Sequence, residues 1–422
     1  MKTKHVVIIG GGFAGLNAAM KLSKSEVKVT LIDKRNFHLF QPLLYQVASG
    51  ALSPADISFP LRAIFKNKEN VNIIQGVVED VDFNQKSVMI EDKEISYDYL
   101  IIATGSKSHY YGNNNWEQYT TGLKTIEDAT TIRNKILTAF EKAELETDVD
   151  KKQELLTFAI IGGGPAGIEM AGAIGELAKH TLHCDFRNID PAQSQIILIE
   201  GGNRILPMYP ESLSFKAEEN LKELGVKILT NHLVTNISEN VINLKTDSTQ
   251  LKILTKTIIW AAGVKAEPLS KKIAEKNNLK LDKSERIIVN QYCSIQNNPE
   301  VFVIGDNANF ADNKNTLLPG VAPVAVQQGK YVANYILNTI NGEANKIFKY
   351  LDKGNLSVIG RKAAVAFRGK IKFSGLLAWL IWLFVHLLYL VGFENRILVA
   401  TQWAFNYFTF NRSARLIANK TK

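Results

Sequence analysis

Six glycines and two acids carry the first chemical signal in this chain. Gly10, Gly12 and Gly15 follow the spacing GxGxxG, and Gly162, Gly164 and Gly167 repeat it. In such a loop the first glycine makes a tight turn, the second lets a pyrophosphate reach the backbone, and the third lets a helix pack on the preceding strand. The phosphates then sit at the positive end of the helix dipole. Phe13 and Ala14 fill the variable positions of the first loop, Pro165 and Ala166 those of the second. Asp33 lies 18 residues after Gly15, near the roughly 20 expected for the acid that binds a ribose hydroxyl. Glu200 lies 33 residues after Gly167, and an extended helix and loop over residues 180–193 accounts for the excess. A carboxylate at the ribose disfavours a 2′-phosphate, so the second site is expected to prefer NADH to NADPH. Gly201, Gly202 and Asn203 add no basic residue, although Arg204 follows closely.

Those residues need elements to hold them. Residues 5–9 form a short continuous apolar run, the pattern of a parallel strand buried on both faces, and residues 16–22 read as the helix after the turn. A second apolar strand over 27–32 delivers Asp33, and residues 158–161 and 195–199 repeat the arrangement around the second loop. A lone GxGxxG often marks only a turn; strand, glycines, helix, strand and acid in that order point to a dinucleotide. Three more strands run into small-residue turns: one into Thr104 and Gly105, one into Gly263, one into Gly305 and Asp306. An aspartate at 306 can hydrogen-bond a ribityl hydroxyl, so non-covalent FAD is expected in the first cradle and NADH in the second. The expected fold is α/β, with two Rossmann-like, glutathione-reductase-like dinucleotide-binding domains. The FAD domain is expected over 1–115 and 270–345, the NADH domain over 116–269, and an amphipathic helical membrane-anchoring segment over 346–422. The lysine-rich and acidic stretch 141–154 reads as a solvated helix or loop.

The 422 residues are 46% hydrophobic and 22% charged, the balance of a globular chain with a large core. A net charge of +9 favours an anionic partner: a nucleotide or an acidic lipid surface, with nucleic acid not expected. Cys184 and Cys293 make no CxxC or CxxxxC spacing. They are expected as two buried thiols of a reducing compartment, with neither a dithiol relay nor a metal site. Because a strand pattern already begins near residue 5, no signal peptide is expected and the protein stays where it is made.

The C-terminal region has a different character. Residues 373–393 carry no formal charge over 21 positions and include Trp379, Trp382, Phe384 and Tyr389. After Glu394 and Arg396 a second apolar stretch, 397–410, holds Trp403, Phe405, Tyr407 and Phe408. From residue 367 onward eight Lys or Arg face one acid. Aromatics beside a cationic fringe mark a protein seated on anionic head groups. A spanning helix and a buried or dimer interface are alternatives. Gln402 and Asn406 interrupt the second stretch and basic charge returns to the same side, which favours a hairpin lying on one leaflet. A homodimer through the same region is compatible with it.

Nearly the whole chain resembles the type II NADH:quinone oxidoreductases, single-subunit, non-pumping NADH dehydrogenases of bacterial and some mitochondrial membranes. The resemblance rests on the first cradle with residues 36–48 (NFHLFQPLLYQVA), the stretch 162–169, and 260–264 (WAAGV). It also rests on Gly305-Asp306 with 322–329 (APVAVQQG), on Gly360-Arg361, and on the aromatic tail. It implies that Gln327 and Gln328 lie beside the flavin at the quinone pocket, where their amides can bond a quinone carbonyl; capping a helix is the alternative. It places Glu169 near the nicotinamide and flavin, though a carboxylate there could instead satisfy helix N–H groups. His38 and Pro42 look like a flavin-side wall or plain packing, and Lys34 and Val78 complete the expected FAD set. Pro323 stands where many relatives carry glutamine.

The implied reaction passes a hydride from NADH to FAD and then two electrons to a membrane quinone of the respiratory chain. The tail offers no series of acids for proton pumping. The expected location is the cytoplasmic face of the cell membrane, peripheral and monotopic. A sulfide:quinone oxidoreductase is a rival that would need cysteines beside the flavin. A soluble reductase of a ferredoxin or rubredoxin, or a redox-sensing flavoprotein, would leave the basic aromatic tail without a purpose.

Overall fold

Val6, Val7 and Ile8 have no exposed surface, and their strand, His5–Ile9, lies inside a six-stranded sheet. The sheet runs in the order Ser294–Ile295, Asn298–Val303, Tyr99–Ile102, His5–Ile9, Lys28–Asp33, Val71–Gln75. Every neighbouring pair is parallel except the first. Parallel strands covered on both faces need apolar side chains throughout, which is why the sequence shows an unbroken run there. The strand order reverses at His5–Ile9: Lys28–Asp33 pairs on one side and Tyr99–Ile102 on the other. Ligands of such sheets bind beyond the carboxyl ends of the strands at this switch point. The helices Phe13–Leu22 and Ala322–Asn341 pack so closely that a Cβ on Gly329 would strike the Ala14 carbonyl.

The computed structural model describes residues 3–418. Contacts group the chain into two units. The first comprises the chain up to Leu39, Ser58–Lys107 and Val264–Lys353; the second comprises Phe40–Ile57, Ser108–Gly263 and the chain from Gly354 onward.

The second unit has its own parallel sheet, in the order Thr121–Gly122, Thr257–Trp260, Thr157–Ile161, Gln195–Ile199, Val226–Leu229. After the glycine turn, the helix Pro165–Glu176 continues as a π-helical turn, Leu177–Thr181, and a 3-10 turn follows at Pro191–Gln193. This is the extended helix and loop that the long spacing to Glu200 requires. Cys184 lies in the turn after the π-helix and is exposed, so only Cys293 is a buried thiol. The expectation of two buried thiols fails at Cys184 because that loop stands outside the sheet.

From Gly354 the chain first makes an antiparallel sheet of Asn355–Gly360, Ala363–Arg368 and Ile371–Ser374, which the sequence reading did not anticipate. The helices Gly375–Tyr389 and Phe393–Thr409 follow. The uncharged run 373–393 is therefore not one helix. Its first two residues finish a strand, and Gly392, at φ +88°, turns the chain before the next helix. Fifteen residues make a helix of about 22 Å, short of the roughly 30 Å of a hydrocarbon core. Among the described residues no helix is long and apolar enough to cross a membrane. On the first of these helices Ala378 and Trp382 are buried, whereas Leu376, Leu380, Phe384 and Leu388 repeat every fourth residue on an exposed face.

The cationic fringe is smaller than the residue count suggests. Arg412 is buried against Glu176, Arg415 pairs with Asp185, and Arg396 donates to the carbonyls of Leu388 and Leu390. Arg368, Lys370 and Lys372 are exposed at the last hairpin of the antiparallel sheet. Lys420 and Lys422 lie outside the described residues.

Candidate functional site

The first cradle is braced by its own acid. Gly10 sits at φ +103°, and a Cβ there would collide with the Ala103 carbonyl, so only glycine fits. Asp33 accepts the Gly11 N–H at 2.5 Å with one oxygen and the Arg35 N–H at 2.7 Å with the other. Burial pushes its carboxyl above the usual range, and these two N–H groups pull it back. A carboxylate has about four lone-pair sites, so acceptors remain for ribose hydroxyls. At Gly12, the N-cap of the helix Phe13–Leu22, no side chain caps the helix and nothing lies within 4 Å of where a Cβ would stand. Gly15 is the opposite case, since a Cβ there would strike the Gly10 carbonyl.

Around this open ground lie polar atoms without partners. His38 is buried, edge-on to Phe13, with Nδ1 2.9 Å from the Gly11 carbonyl. A carbonyl only accepts, so Nδ1 carries the hydrogen; burial holds the ring neutral and Nε2 is a bare acceptor. His38 Nε2, Thr104 Oγ1 and Asn307 Oδ1 are buried with no partner among the described residues. Asp306 accepts from Ser106 Oγ at 2.8 Å, and Gln328, buried, accepts the Gly305 N–H at 2.8 Å. A cradle left open at a helix start, ringed by orphaned polar atoms, is what the phosphates and hydroxyls of FAD need. Lys34 pairs with Glu267 at 2.9 Å, and Val78 is buried at the start of the strand Val78–Asp82. Gly105 follows Thr104 at φ +77°.

The second cradle repeats the first. Glu200 accepts the Gly163 N–H at 2.7 Å and the Gly202 N–H at 2.7 Å. A Cβ on Gly162 would meet the Ala261 carbonyl at 2.6 Å, one on Gly167 would strike the Gly162 carbonyl, and Gly164 is open. Pro165 occupies the first helical turn, where its missing N–H costs nothing, and Pro165 and Ala166 are exposed. Arg204 is held by its own loop and the helix Glu211–Glu223 that follows: its guanidinium donates to the Tyr209 and Pro207 carbonyls and to Ser214 Oγ, each at 2.8 Å. It is therefore spent on the fold and offers nothing to a 2′-phosphate. Gly263 accepts from the His109 N–H at 3.0 Å.

The two glutamines are also engaged. Gln327 donates to the Leu351 carbonyl and accepts the Leu351 N–H, both at 3.0 Å, while Gln328 ties its helix to the Gly305–Asp306 turn. Pro323 falls in the first turn of Ala322–Asn341, a position that suits proline. Pro42, in the 3-10 turn Gln41–Leu43, belongs to the second unit.

That unit contains a cavity of about 120 Å³ lined by Glu169, Tyr45, Glu176, Arg412 and the indoles of Trp382 and Trp403. Of its two carboxyl groups, that of Glu169 is pushed up to about 8 by burial, with only the Val358 N–H working the other way. Its partner therefore comes from the strand Asn355–Gly360, not from the start of its own helix. Glu176, seven residues on, shares the helix face. Arg412 donates to Glu176 at 3.1 Å and to the carbonyls of Ser49 and Ala173 at 3.2 and 3.0 Å; Glu176 also accepts the Arg361 N–H at 2.5 Å. Removing one partner of such a buried pair typically costs about 3–5 kcal/mol, so Arg412 pins the chain beyond the last helix to the cavity wall. The Arg361 guanidinium covers the rings of Phe410 and Tyr407 at 3.7 and 4.4 Å. Sequence reasoning missed Tyr45, Gln46, Glu176 and Arg412. The seven-residue step from Glu169 to Glu176 was the one legible signal.

Two nucleotide cradles on two parallel sheets define a pyridine-nucleotide oxidoreductase, and the model of the pyridine nucleotide-disulphide oxidoreductase family matches residues 4–329. The chain is 40% identical over 424 residues to the type II NADH:quinone oxidoreductase Ndh of Mycobacterium tuberculosis, covering 99% of this chain and 90% of that one. It is 30% identical over 364 residues to the type II NADH:quinone oxidoreductase of Staphylococcus haemolyticus, covering 85% and 88%. The structure of NDH2 from Plasmodium falciparum in complex with NADH has the same fold, with a TM-score of 0.89 at 22% identity over 99% of this chain and 100% of that one. The chain belongs to the type II NADH:quinone oxidoreductase family.

Proposed function

We propose that this chain holds FAD non-covalently in the first cradle, oxidises NADH at the second, and reduces a quinone in the cavity of Glu169. The observation that carries the reading is that cavity: an aromatic pocket with one carboxyl whose pKa burial lifts to about 8. Bound FAD supplies the two-electron relay between nicotinamide and quinone. The chain's own residues bind and orient the reactants. Asp33 and Glu200 present carboxylates to ribose hydroxyls, Gln328 fixes the turn that carries Asp306, and Glu169 holds a proton for the quinone. Gln327 would have to leave Leu351 to reach a quinone carbonyl, so the carbonyl-binding role is better assigned to donors lining the cavity. His38 and Thr104 offer their unpartnered atoms to FAD.

The test is steady-state oxidation of NADH and NADPH by detergent-purified, FAD-loaded protein, with and without a short-chain quinone. Quinone-dependent NADH oxidation is expected, with kcat/KM for NADPH at least about tenfold lower because Glu200 meets the 2′-phosphate and Arg204 is occupied. Flavin reduced by NADH but reoxidised by no quinone would overturn the quinone reading and point to a protein acceptor.

The same reading seats the protein on the cytoplasmic face of the membrane, monotopic, through the exposed stripe Leu376, Leu380, Phe384 and Leu388 and the exposed Phe393, Phe405 and Phe408. Arg368, Lys370 and Lys372 face anionic head groups beside it. Leu380→Asp/Phe384→Asp is expected to lose flotation with vesicles containing anionic lipid while keeping FAD. Undiminished flotation of that variant would remove the helix from the membrane contact.

A further inference from the structure

A chain of hydrogen bonds in the second unit has only one chemically permitted direction. Trp403 Nε1 lies 2.7 Å from Gln46 Oε1, and Gln46 Nε2 lies 2.9 Å from the Tyr45 hydroxyl. An indole N–H can only donate, so the atom facing it must be the amide oxygen of Gln46. The amide nitrogen then faces Tyr45, and an amide N–H can only donate too. The Tyr45 oxygen is thereby compelled to accept, and its own hydrogen must go elsewhere. Tyr45 is buried, lines the cavity of Glu169, and finds no acceptor for that hydrogen among the described residues.

A buried hydroxyl left with an unused hydrogen is costly unless something arrives to take it. The same cavity holds a second donor in this state: Trp382 is buried and its Nε1 has no partner among the described residues, with its ring stacked on His386 at 4.2 Å. Two groups lining one aromatic cavity, each left with a hydrogen to donate, call for a ligand that is planar, apolar and rich in acceptors. The open space of about 120 Å³ is comparable to the engineered cavity of about 150 Å³ that takes a benzene ring.

We propose that Trp403, acting through Gln46, fixes the hydroxyl of Tyr45 as a hydrogen-bond donor to a carbonyl oxygen of the quinone. Tyr45 touches the substrate; Gln46 and Trp403 are positioning residues. The inference rests on the assignment of this cavity to the quinone. It gives the C-terminal helix Phe393–Thr409 a part in substrate recognition as well as in anchoring, because Trp403 stands on that helix. Trp382 Nε1 is the second donor to the same ring.

The test uses full-length, FAD-loaded enzyme and a short-chain benzoquinone, read by quinone KM and kcat and by quenching of tryptophan fluorescence on quinone titration. Tyr45→Phe removes the donor and is expected to weaken quinone binding and raise its KM about tenfold. Gln46→Glu is the sharper variant. A carboxylate accepts from both Trp403 and Tyr45, which turns the hydroxyl away from the cavity while keeping its shape, so it should match Tyr45→Phe. Trp403→Phe frees the Gln46 amide to flip and should give the same loss. The double variant Tyr45→Phe/Trp403→Phe should be no worse than Tyr45→Phe alone, since both act through one hydrogen. FAD content and thermal midpoint report that each variant is folded. Wild-type quinone affinity in folded Tyr45→Phe, or additive losses in the double variant, would overturn the proposal. A wild-type enzyme that neither binds nor reduces the quinone would overturn the functional reading itself, which the wild-type titration reveals before any variant is compared.

Discussion

Gly12→Glu should give a folded protein that carries almost no FAD, with NADH oxidation below about a hundredth of wild type, whereas Gly15→Val should prevent the first unit from folding. The two glycines are three residues apart, and their surroundings separate the effects. At Gly12 a Cβ would meet no protein atom within 4 Å, so the backbone leaves room for a side chain to start there. The space it enters is the ground before the helix Phe13–Leu22, where the N–H groups and the dipole favour a phosphate. A glutamate there satisfies the helix start in the ligand's place and repels the pyrophosphate. At Gly15 a Cβ would run into the Gly10 carbonyl, which is backbone held by the sheet, and the helix could not seat. The measurement is flavin absorbance per mole of purified protein, with circular dichroism and a thermal midpoint for both variants. Stoichiometric FAD in Gly12→Glu would mean that the pyrophosphate does not lie at this cradle. Gly164→Glu is the counterpart in the second unit, where the same openness predicts retained FAD and lost reduction by NADH.

What the sequence disclosed and what it withheld follow from how each feature is encoded. The cradles were legible because every part of them is local: a buried parallel strand is an unbroken apolar run, and the glycines and the acid sit at fixed distances along the chain. Even the long step to Glu200 could be attributed to extra helix and loop, and the π-turn Leu177–Thr181 with the loop through Pro191–Gln193 fills it. The cavity was not legible as a cavity, because Tyr45, Glu169, Trp403 and Arg412 come from three stretches of chain over a hundred residues apart. Arg412 counted as one more surface charge until the fold buried it on Glu176. The tail misled for a related reason. Absence of charge over 373–393 is a property of composition, and it does not show that Phe373 and Ser374 complete a strand or that Gly392 turns the chain. The glutamine pair was recognised by resemblance, yet the backbone groups of Leu351 and Gly305 that take up both amides belong to segments that no spacing rule connects.

Glu169→Gln should lower quinone-dependent turnover by about a hundredfold and abolish its pH dependence, the scale of losing a positioned proton donor. Reduction of a quinone by NADH consumes one proton beyond the hydride, and the residue that delivers it must be protonated near neutral pH while facing the substrate. Burial gives Glu169 a pKa of about 8, well above the 4.5 of a free glutamate, so at pH 7 it holds its proton in a cavity lined by Tyr45 and Trp382. Wild-type turnover with quinone should therefore fall as pH rises through about 8, as the donor form is lost. The amide introduced by Glu169→Gln would keep a hydrogen-bond donor of the same shape but could not release a proton, so the variant's profile should be flat as well as low. Stability supplies an independent reading of the same group. Between pH 4.5 and about 8 the folded protein keeps a proton on Glu169 that the unfolded chain has given up. The Glu169 contribution is therefore full at low pH and is lost as pH rises through that window. The thermal midpoint of the wild type should fall more steeply over that range than that of Glu169→Gln. A variant that kept both the wild-type rate and the break near pH 8 would move the proton donor elsewhere. An unchanged rate with a flattened stability profile would leave Glu169 as an acid of the cavity wall with no part in the proton transfer.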